Sequence, residues 1–275
     1  MSHLKSNMNN LLNISGKLLI GAAIALPGLV SCSIKEDRIP CPCYLEVSFE
    51  DREHIKDPVS LTGWTSEQMF DVDINTVDYP DTYTQKVEKT MIAFGAAEGM
   101  VSCRQDGHFI NVPLGCECDS LYAFIDNIDC TGEMAYTTVK FHKQFATVYL
   151  NIGKSSSQMK DYSFVVESSS CGFDMLTYDG VEGEFRCEPE TLNGNVIQFR
   201  LPRQVDDGLS VTVRYSRGQS ASFPLGTYIR KIGYNWSAED LQDIFITLDI
   251  VNGKISVGVA DWENAEDFDL SHVEL

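Results

Sequence analysis

The sequence predicts an all-β protein that contains two tandem β-sandwich domains. Short segments with alternating apolar and polar residues recur along the chain, and turn residues separate them at intervals typical of sandwich strands. No long segment shows the period of an amphipathic helix. Hydrophobic residues make up 43% of the 275 residues, which is enough for the cores of one large or two modest domains.

The net charge excludes a basic nucleic-acid-binding protein. The chain has 40 Asp and Glu residues but only 21 Lys and Arg residues, so its formal net charge is −19. An acidic surface repels the phosphates of nucleic acids and of anionic lipids. We therefore expect no nucleic-acid partner, and a membrane contact needs something other than charge attraction.

Residues 1–31 have the composition of a secretory signal peptide. Lys5 and Lys17 form the basic part, Asp and Glu are missing, and an apolar run follows at residues 18–30. The run is shorter than the about 20 apolar residues of a membrane-spanning helix, and a Pro-Gly pair interrupts it. We predict that this segment is a cleaved signal.

The end of the apolar run, Leu29-Val30-Ser31-Cys32, resembles the bacterial lipobox. In a lipobox the signal is cut before a cysteine that then receives lipid chains. We predict lipidation at Cys32 and attachment to the outer membrane through acyl chains, whose buried CH₂ groups contribute roughly 0.8 kcal/mol each. The alternatives are an ordinary signal peptide with an incidental cysteine and a buried hydrophobic strand.

Residues 32–43 are predicted to be a lipidated tether. Within them, Lys35-Glu36-Asp37-Arg38 resembles the export signal that sends Bacteroidetes lipoproteins to the outer face of the outer membrane. The resemblance implies a surface-exposed protein of the cell outer membrane. A solvated linker is the alternative, because it has a similar composition.

The cysteines permit a disulfide framework. Nine cysteines are present, and eight remain when the lipidated one is removed. An even number in an exported protein allows disulfides, but their connectivity cannot be read from the sequence. The candidates are Cys41, Cys43, Cys103, Cys116, Cys118, Cys130, Cys171 and Cys187.

Two close cysteine pairs also suggest a four-thiolate zinc site. Cys41 and Cys43 are separated by one residue, as are Cys116 and Cys118. Zinc-binding clusters usually have about two to four residues between ligands, and Pro42 stiffens the first pair. We therefore expect disulfides or free thiols and no metal.

The first strong strand signal follows the tether. Leu45, Val47 and Phe49 lie on one face of a strand predicted at 44–50, and the residues between them are polar. Further strands are predicted at 89–94, 120–125, 144–152, 162–167, 196–201, 209–215 and 244–251.

The clearest local signal is a β-hairpin near the C-terminus. The strand at 244–251 is followed by Asn252-Gly253 and by an alternating segment at 254–259. Asn-Gly tolerates the positive φ angles of a type I′ turn, which joins two antiparallel strands. Before the hairpin, Ser237 and Asp240 have the spacing of a capping box and predict one short helical turn.

A domain boundary is predicted in the middle of the chain. The alternating pattern weakens at residues 126–132, and a new alternating block begins near Phe141. We place the boundary between an N-terminal sandwich at 44–136 and a C-terminal sandwich at 137–275, each of ordinary domain size.

The sequence carries no catalytic signature. The nucleophile elbow, the zinc-protease helix motif, the P-loop and the dinucleotide-binding glycine pattern are all missing. His54, His108, His142 and His272 have no second histidine at the spacing of metal ligands. We therefore expect no enzyme activity and no cofactor.

Residues 71–75 begin like a calcium-binding loop. However, Thr76 and Thr82 stand where such a loop needs Gly and Glu. The alternation of Val72 and Ile74 favours a strand instead.

Three other features have both a functional and a structural interpretation. Trp64, Trp236 and Trp262 could stack on sugars, although partly buried packing is the more common role of Trp in β-proteins. Asp119-Ser120-Leu121 resembles the O-glycosylation sequence of Bacteroidetes. Residues 261–275 contain six acidic residues and no basic residue, which predicts a solvated end.

The order of these motifs resembles the fimbrial anchor family of Bacteroidales, which includes the FimB-like and minor-fimbria anchoring subunits. The resemblance is carried by Cys32, the charged cluster at 35–38, Cys41-Pro42 and the strand at 45–49. It continues to the strand at 145–150 and to Ala260-Asp261-Trp262-Glu263 at the end of the hairpin. It implies transthyretin-like Greek-key sandwiches, an N-terminal lipid and a role at the base of a surface filament.

The resemblance also implies a partner, the fimbrial stalk subunit (fimbrillin). We expect the anchor to keep its first strand, to join the stalk by strand exchange through its C-terminal segment, and to influence filament length. The residues predicted to bind the partner are Ala260, Asp261, Trp262, Phe268 and Leu270. The alternative functions are a surface glycan-binding lipoprotein and a hydrolase on the same scaffold.

Overall fold

The computed structural model describes residues 41–153, 162–193, 195–215, 218, 220–249 and 254–260. The predictions for the signal peptide, for Cys32, for the charged cluster, for the Asn252-Gly253 turn and for the segment 261–275 lie outside these residues. No helix in the described ranges is long and apolar enough to span a membrane.

The first half of the described chain consists of ten strands. They are β1 (Cys43–Phe49), β2 (Val59–Trp64), β3 (Gln68–Ile74), β4 (Tyr83–Val87), β5 (Met91–Glu98), β6 (Arg104–Asp106), β7 (Phe109–Asn111), β8 (Tyr122–Asp129), β9 (Met134–Val139) and β10 (His142–Lys143). Two short 3₁₀ helices, Arg52–His54 and Thr76–Asp78, lie in the connections. The segment that resembled a calcium loop is part of β3, so the strand interpretation is confirmed.

The second half adds nine strands and one helix. They are β11 (Phe145–Ile152), β12 (Tyr162–Asp174), β13 (Asp179–Cys187), β14 (Thr191–Asn193), β15 (Val196–Pro202), β16 (Ser210–Tyr215), β17 (Ser220–Phe223), α1 (Leu225–Lys231), β18 (Asp243–Asp249) and β19 (Lys254–Ala260). The all-β class is confirmed.

The first two sheets enclose one hydrophobic core. A three-stranded sheet has the order β4-β1-β9, and a five-stranded sheet has the order β10-β8-β5-β2-β3. Leu45 and Val47 of β1 are fully buried, as the alternation predicted, and they share this core with Ile92 and Phe94 of β5. The strand β1 is central because it pairs with β4 on one edge and with β9 on the other.

Two larger sheets enclose the second core. One has the order β14-β15-β11-β18-β19, and the other has the order β17-β16-β12-β7-β6, with β13 on the opposite edge of β12. In the first of them β11 pairs antiparallel with β15 and parallel with β18. Val148, Leu150 and Ile152 of β11 are fully buried, since the strand lies between two neighbours and faces the core.

A hairpin connects the two parts of the fold. The strands β6 and β7 lie between β5 and β8 in the sequence, yet β7 pairs with β12 in the register Asn111 to Gly172 and Phe109 to Asp174. A Cβ atom on Gly172 would lie 2.3 Å from the carbonyl oxygen of Ile110, so this close pairing requires glycine. The position of the predicted boundary, between residues 136 and 137, lies within β9.

The predicted helical turn at Ser237 to Asp240 is wrong. These residues form a turn and a bend, and the helix α1 lies earlier in the chain. The capping interaction is replaced, because the Ser237 N–H donates to the Asn235 side chain (3.0 Å). The Asp240 carboxylate instead accepts a hydrogen bond from the backbone N–H of Lys143 (2.6 Å).

Candidate functional site

The candidate site is the edge of the sheet formed by β19. This strand pairs with β18 from Asp243 opposite Ala260 to Asp249 opposite Lys254. It is the terminal strand of its sheet order, and in the part of the chain that the structure describes it pairs with β18 alone. A strand in this position offers unpaired backbone N–H and C=O groups to a further strand.

The side chains of β19 fix which face of the strand is inward. Val257 is 5% exposed and packs in the same core as Leu225 and Ile229 of α1, whereas Val259 is 42% exposed. Alternate residues share one face of a strand, so Val257 and Val259 lie on the same face. This face is buried at Val257 and becomes exposed at Val259, near the end of the strand, where an apolar side chain reaches solvent.

The predicted partner-binding residues lie at this edge or directly after it in the sequence. Ala260 is the last residue of β19. Asp261, Trp262, Phe268 and Leu270 lie outside the described residues. The candidate partner segment is thus covalently continuous with the edge strand.

A buried ion pair supports the sheet behind the site. The Lys143 ammonium donates to the Asp243 carboxylate at the start of β18 (2.5 Å), and the two side chains are 4% and 8% exposed. The same carboxylate oxygen accepts a hydrogen bond from the Thr147 N–H (2.9 Å). The pair therefore joins the end of β10 to the start of β18, the strand with which β19 pairs.

A second buried charge lies beside this pair. The Arg203 guanidinium is 0% exposed and donates to the Gln144 amide oxygen (2.6 and 2.9 Å), to the Trp236 carbonyl (2.7 Å) and to the Glu239 carbonyl (3.1 Å). The Cζ atom of the Arg203 guanidinium lies 5.6 Å from the ring centre of Phe173. Burial lowers the pKa of Arg203 to about 10, so the side chain remains charged at neutral pH.

The tryptophans take different positions. Trp64 is 5% exposed and belongs to the second core, where its indole N–H has no hydrogen-bond partner among the described residues. Trp236 is half-buried and packs against Tyr234, with ring centres 4.5 Å apart. Trp262 lies outside the described residues. The packing interpretation therefore describes Trp64 and Trp236.

The eight candidate cysteines all lie in the described ranges, where no S–S bond joins any two of them. Cys41 is exposed, Cys116 and Cys171 are half-buried, and the others are buried. Within the residues that the structure places, no three His, Cys, Asp or Glu side chains converge in a way that could hold a metal ion.

The segment that resembles an O-glycosylation sequence is largely enclosed. Asp119 and Leu121 are 7% and 1% exposed. The Asp119 Oδ2 atom accepts hydrogen bonds from the backbone N–H groups of Val101, Ser102 and Cys103, each 2.7 Å long. Burial disfavours the ionised carboxyl, but these donors outweigh it and hold the pKa of Asp119 below its usual value.

We expect Asp119→Asn to lower the free energy of unfolding at pH 7 by about 1–3 kcal/mol. A carboxyl group whose pKa is lower in the folded state stabilises the fold above its unfolded pKa, and this stability is lost as the pH falls through the folded pKa. The difference between wild type and variant is therefore expected to be full at neutral pH and to shrink below about pH 4.

Urea unfolding at a series of pH values measures this difference. Asp81→Asn, at an exposed position, is the matched control and is expected to leave the stability nearly unchanged. A constant difference between wild type and Asp119→Asn down to pH 3 would contradict the role given to the ionised carboxylate.

Known structures from Porphyromonas and Bacteroides share this fold, and they define a class of β-proteins that includes a fimbrial anchor and candidate adhesins. The fimbrial anchor protein Mfa2 from Porphyromonas gingivalis matches with a TM-score of 0.54 and 11% identity, covering 81% of this chain and 98% of that one. A candidate polysaccharide-binding protein from Bacteroides thetaiotaomicron matches with a TM-score of 0.56 and 14% identity, covering 81% and 99%. A candidate adhesin from Bacteroides ovatus matches with a TM-score of 0.54 and 10% identity, covering 81% and 94%.

No protein-family model matches the sequence, and no curated protein is similar to it in sequence. The structural match to Mfa2 nevertheless confirms, at the level of the fold, the resemblance to the fimbrial anchor family that the motifs indicated.

The sequence indicated the β19 edge but missed the buried charges behind it. Lys143 and Asp243 are separated by 100 residues, so their pairing depends on the parallel contact between β11 and β18. Arg203 directly follows β15, where a basic residue would ordinarily be solvated. No pattern in the sequence distinguishes these residues from surface charges.

Proposed function

We propose that this protein is a lipid-anchored outer-membrane subunit that attaches a fimbria to the cell surface and influences its length. The lipid is on Cys32, and the stalk subunit is bound by strand exchange at the C-terminal end of the chain. The observation that supports this most is the fold shared with a fimbrial anchor over 98% of that protein. The role requires no catalysis and no cofactor.

The N-terminal end is suited to carry an anchor. The tether leads directly into β1, which has hydrogen-bonded neighbours on both edges. Cys43, Leu45 and Val47 are fully buried. A force on the tether therefore acts on a strand that is held by two ladders and by core packing, and removal of β1 would open the core.

The C-terminal end is suited to bind a neighbour. The edge of β19 offers backbone groups for strand addition, and the sequence after Ala260 supplies alternating apolar residues at Phe268 and Leu270. Strand addition satisfies backbone hydrogen bonds and places alternate side chains in pockets, which gives a durable joint without covalent chemistry.

The first test is Cys32→Ala in the native host. We expect the variant to leave the membrane fraction and fimbriae to appear in the medium, because the acyl chains are the membrane attachment. Electron microscopy of cells and immunoblots of the fractions measure this. Cys41→Ala, at an exposed thiol within the predicted tether, is the control and is expected to keep fimbriae on cells. Fimbriae that stay attached to Cys32→Ala cells would contradict the proposal.

The second test addresses the joint with the stalk. A variant that ends at Val259 is expected to lose co-purification with the stalk subunit, since it lacks the predicted partner segment. The triple substitution Trp262→Ala, Phe268→Ala and Leu270→Ala is expected to do the same, whereas Ser271→Ala is the matched control. Thermal unfolding shows whether the variants remain folded. A truncated protein that is folded and still co-purifies would contradict this use of the segment.

Glycan binding is the second candidate function, and one observation favours it. The protein from Bacteroides thetaiotaomicron that shares this fold is a candidate polysaccharide-binding protein. The purified Cys32→Ala protein, incubated with a polysaccharide panel, tests it. Binding that is lost in Trp236→Ala or Trp262→Ala would favour this function over the anchor.

A further inference from the structure

Four buried cysteines form two pairs that are distant in the sequence or lie on different strands and loops of the fold. Cys43 is the first residue of β1, in the three-stranded sheet, and Cys130 directly follows β8, in the five-stranded sheet. Both side chains are 0% exposed and belong to the first core, where the Cys43 thiol is close enough to raise the pKa of Cys130. A bond between these sulfurs would join the two sheets through the first core.

The backbone fixes both ends of this first pair. The N–H of Tyr44, next to Cys43, donates to the Glu133 carbonyl (2.9 Å), and the Cys130 N–H donates to the Thr90 carbonyl (3.0 Å). Each cysteine is therefore fixed by a backbone hydrogen bond at or next to it, where β1 begins and directly after β8 ends, which suits the narrow geometry of a disulfide.

The second pair is Cys103 and Cys118, which are 3% and 1% exposed and lie in the second core, where the Cys103 thiol is close enough to raise the pKa of Cys118. The Cys103 N–H donates to the Asp119 carboxylate (2.7 Å). The Cys118 N–H donates to the Arg200 carbonyl (3.2 Å), and the Arg200 side chain donates back to the Cys118 carbonyl (2.7 Å). Asp119 and Arg200 thus hold the two cysteines side by side.

The folded environment makes one thiol of each pair, Cys118 and Cys130, less reactive. The contact with Cys103, burial and the nearby Asp119 carboxylate raise the pKa of Cys118. Burial and the neighbouring Cys43 raise the pKa of Cys130. The thiolate is the reactive form, so exchange in the folded protein is slow. Bonds at these positions form while the chain is still folding, and the fold then protects them from reduction.

We propose that Cys43–Cys130 and Cys103–Cys118 are disulfide bonds in the mature protein. This rests on the proposed export, because disulfides persist in oxidising compartments outside the cytoplasm. Each bond forms by thiol–disulfide exchange with an exported oxidoreductase in its disulfide form. One protein thiolate attacks the oxidant and releases one of its thiols; the second thiolate attacks the mixed disulfide and releases the other. Two protein thiols are oxidised, and one oxidant disulfide is reduced to two thiols.

Other cysteines have different surroundings. The Cys171 thiol is near the Asn111 side chain (3.9 Å) and the Glu182 carbonyl (3.7 Å), and Cys41 is exposed. Cys41 lies two residues from Cys43, so a bond between Cys41 and Cys130 is the rival connectivity that the experiment must separate from the proposed one.

Peptide mapping after oxidative refolding tests the pairing itself. The full-length Cys32→Ala chain is refolded with reduced and oxidised glutathione, alkylated, digested without reductant and analysed by mass spectrometry. We expect linked peptides for the two proposed pairs and a higher unfolding temperature than for the reduced protein. Alkylation of these four cysteines, or a link from Cys41 to Cys130, would overturn the proposal.

Single substitutions sharpen the test. Cys43→Ala is expected to leave Cys130 alkylated and the other bond intact, and Cys103→Ala is expected to leave Cys118 alkylated. Cys171→Ala is the control and is expected to keep both bonds. If a variant does not fold, the map of the parent chain still decides the pairing.

The same map of protein trapped by alkylation in the native host tests the cellular state. Linked pairs in the membrane fraction support the proposal. Free thiols in the membrane fraction overturn it while leaving the anchor function standing, whereas reduced protein found in the cytoplasm overturns export and the proposed function together.

Discussion

Asp243→Ala is expected to lower the free energy of unfolding by about 3–5 kcal/mol. The substitution leaves the Lys143 ammonium, which is 4% exposed, without an anion in a site that water does not reach. It also removes the acceptor of the Thr147 N–H. Equilibrium unfolding in urea at neutral pH measures the loss.

The chain offers a matched control for this prediction. Asp207 pairs with Arg230 at 2.9 Å, but the side chains are 35% and 70% exposed. An exposed pair contributes about 0–1 kcal/mol, so Asp207→Ala is expected to have little effect. Replacement of both Lys143 and Asp243 by apolar residues is expected to recover much of the lost stability, because no unpaired charge remains. Equal losses at the buried and the exposed pair would contradict this account.

Arg203→Met is expected to cost about 3 kcal/mol, since it removes the guanidinium donor from one buried and two partly buried acceptors, and a buried acceptor without a partner costs about 1–3 kcal/mol. These acceptors are the Gln144 amide oxygen and the carbonyl groups of Trp236 and Glu239. Arg203→Lys keeps the charge but cannot reproduce the planar fork that reaches all three, so it is expected to recover only part of the stability.

Thermal and urea unfolding of the three proteins measure this prediction. Arg186→Met is the control, because the Arg186 side chain is 34% exposed and pairs with Glu167 and Glu188 at the surface. Its cost is expected to stay below about 1 kcal/mol. Full stability in Arg203→Lys would show that charge alone, and not the geometry of the guanidinium, is what the site requires.

The strands that the sequence indicated are those with strongly apolar inner faces. β1 is built on Leu45 and Val47, and β18 on Ile244 and Ile246, so their periods are easy to read. One of the missed strands, β9, has Ala135, Thr137 and Val139 on its buried face. Only Val139 is strongly apolar, so the alternation of apolar and polar residues in this strand is weak in the sequence.

The sequence did not predict the shortest strands and the helix, for a different reason. Each strand of the β6–β7 hairpin has three residues, and α1 has seven, which is too short to display a period. Their positions are set by tertiary contacts, such as Leu225 in the second core. The thiol pairs depend on sheet packing in the same way: sequence counts the cysteines, but only the arrangement of the strands brings particular ones together.

A pulling force that separates the two cores meets the β6–β7 hairpin. The hairpin is continuous with β5 and β8, which are paired neighbours in the five-stranded sheet, and it is hydrogen-bonded to β12 with Ile110 inside the second core. Tension between the halves is therefore shared between this hairpin and the peptide link from β10 to β11. In the proposed anchor, such a doubled connection would resist bending and stretching under fluid flow, and the attached filament would transmit drag to the membrane through a stiff joint.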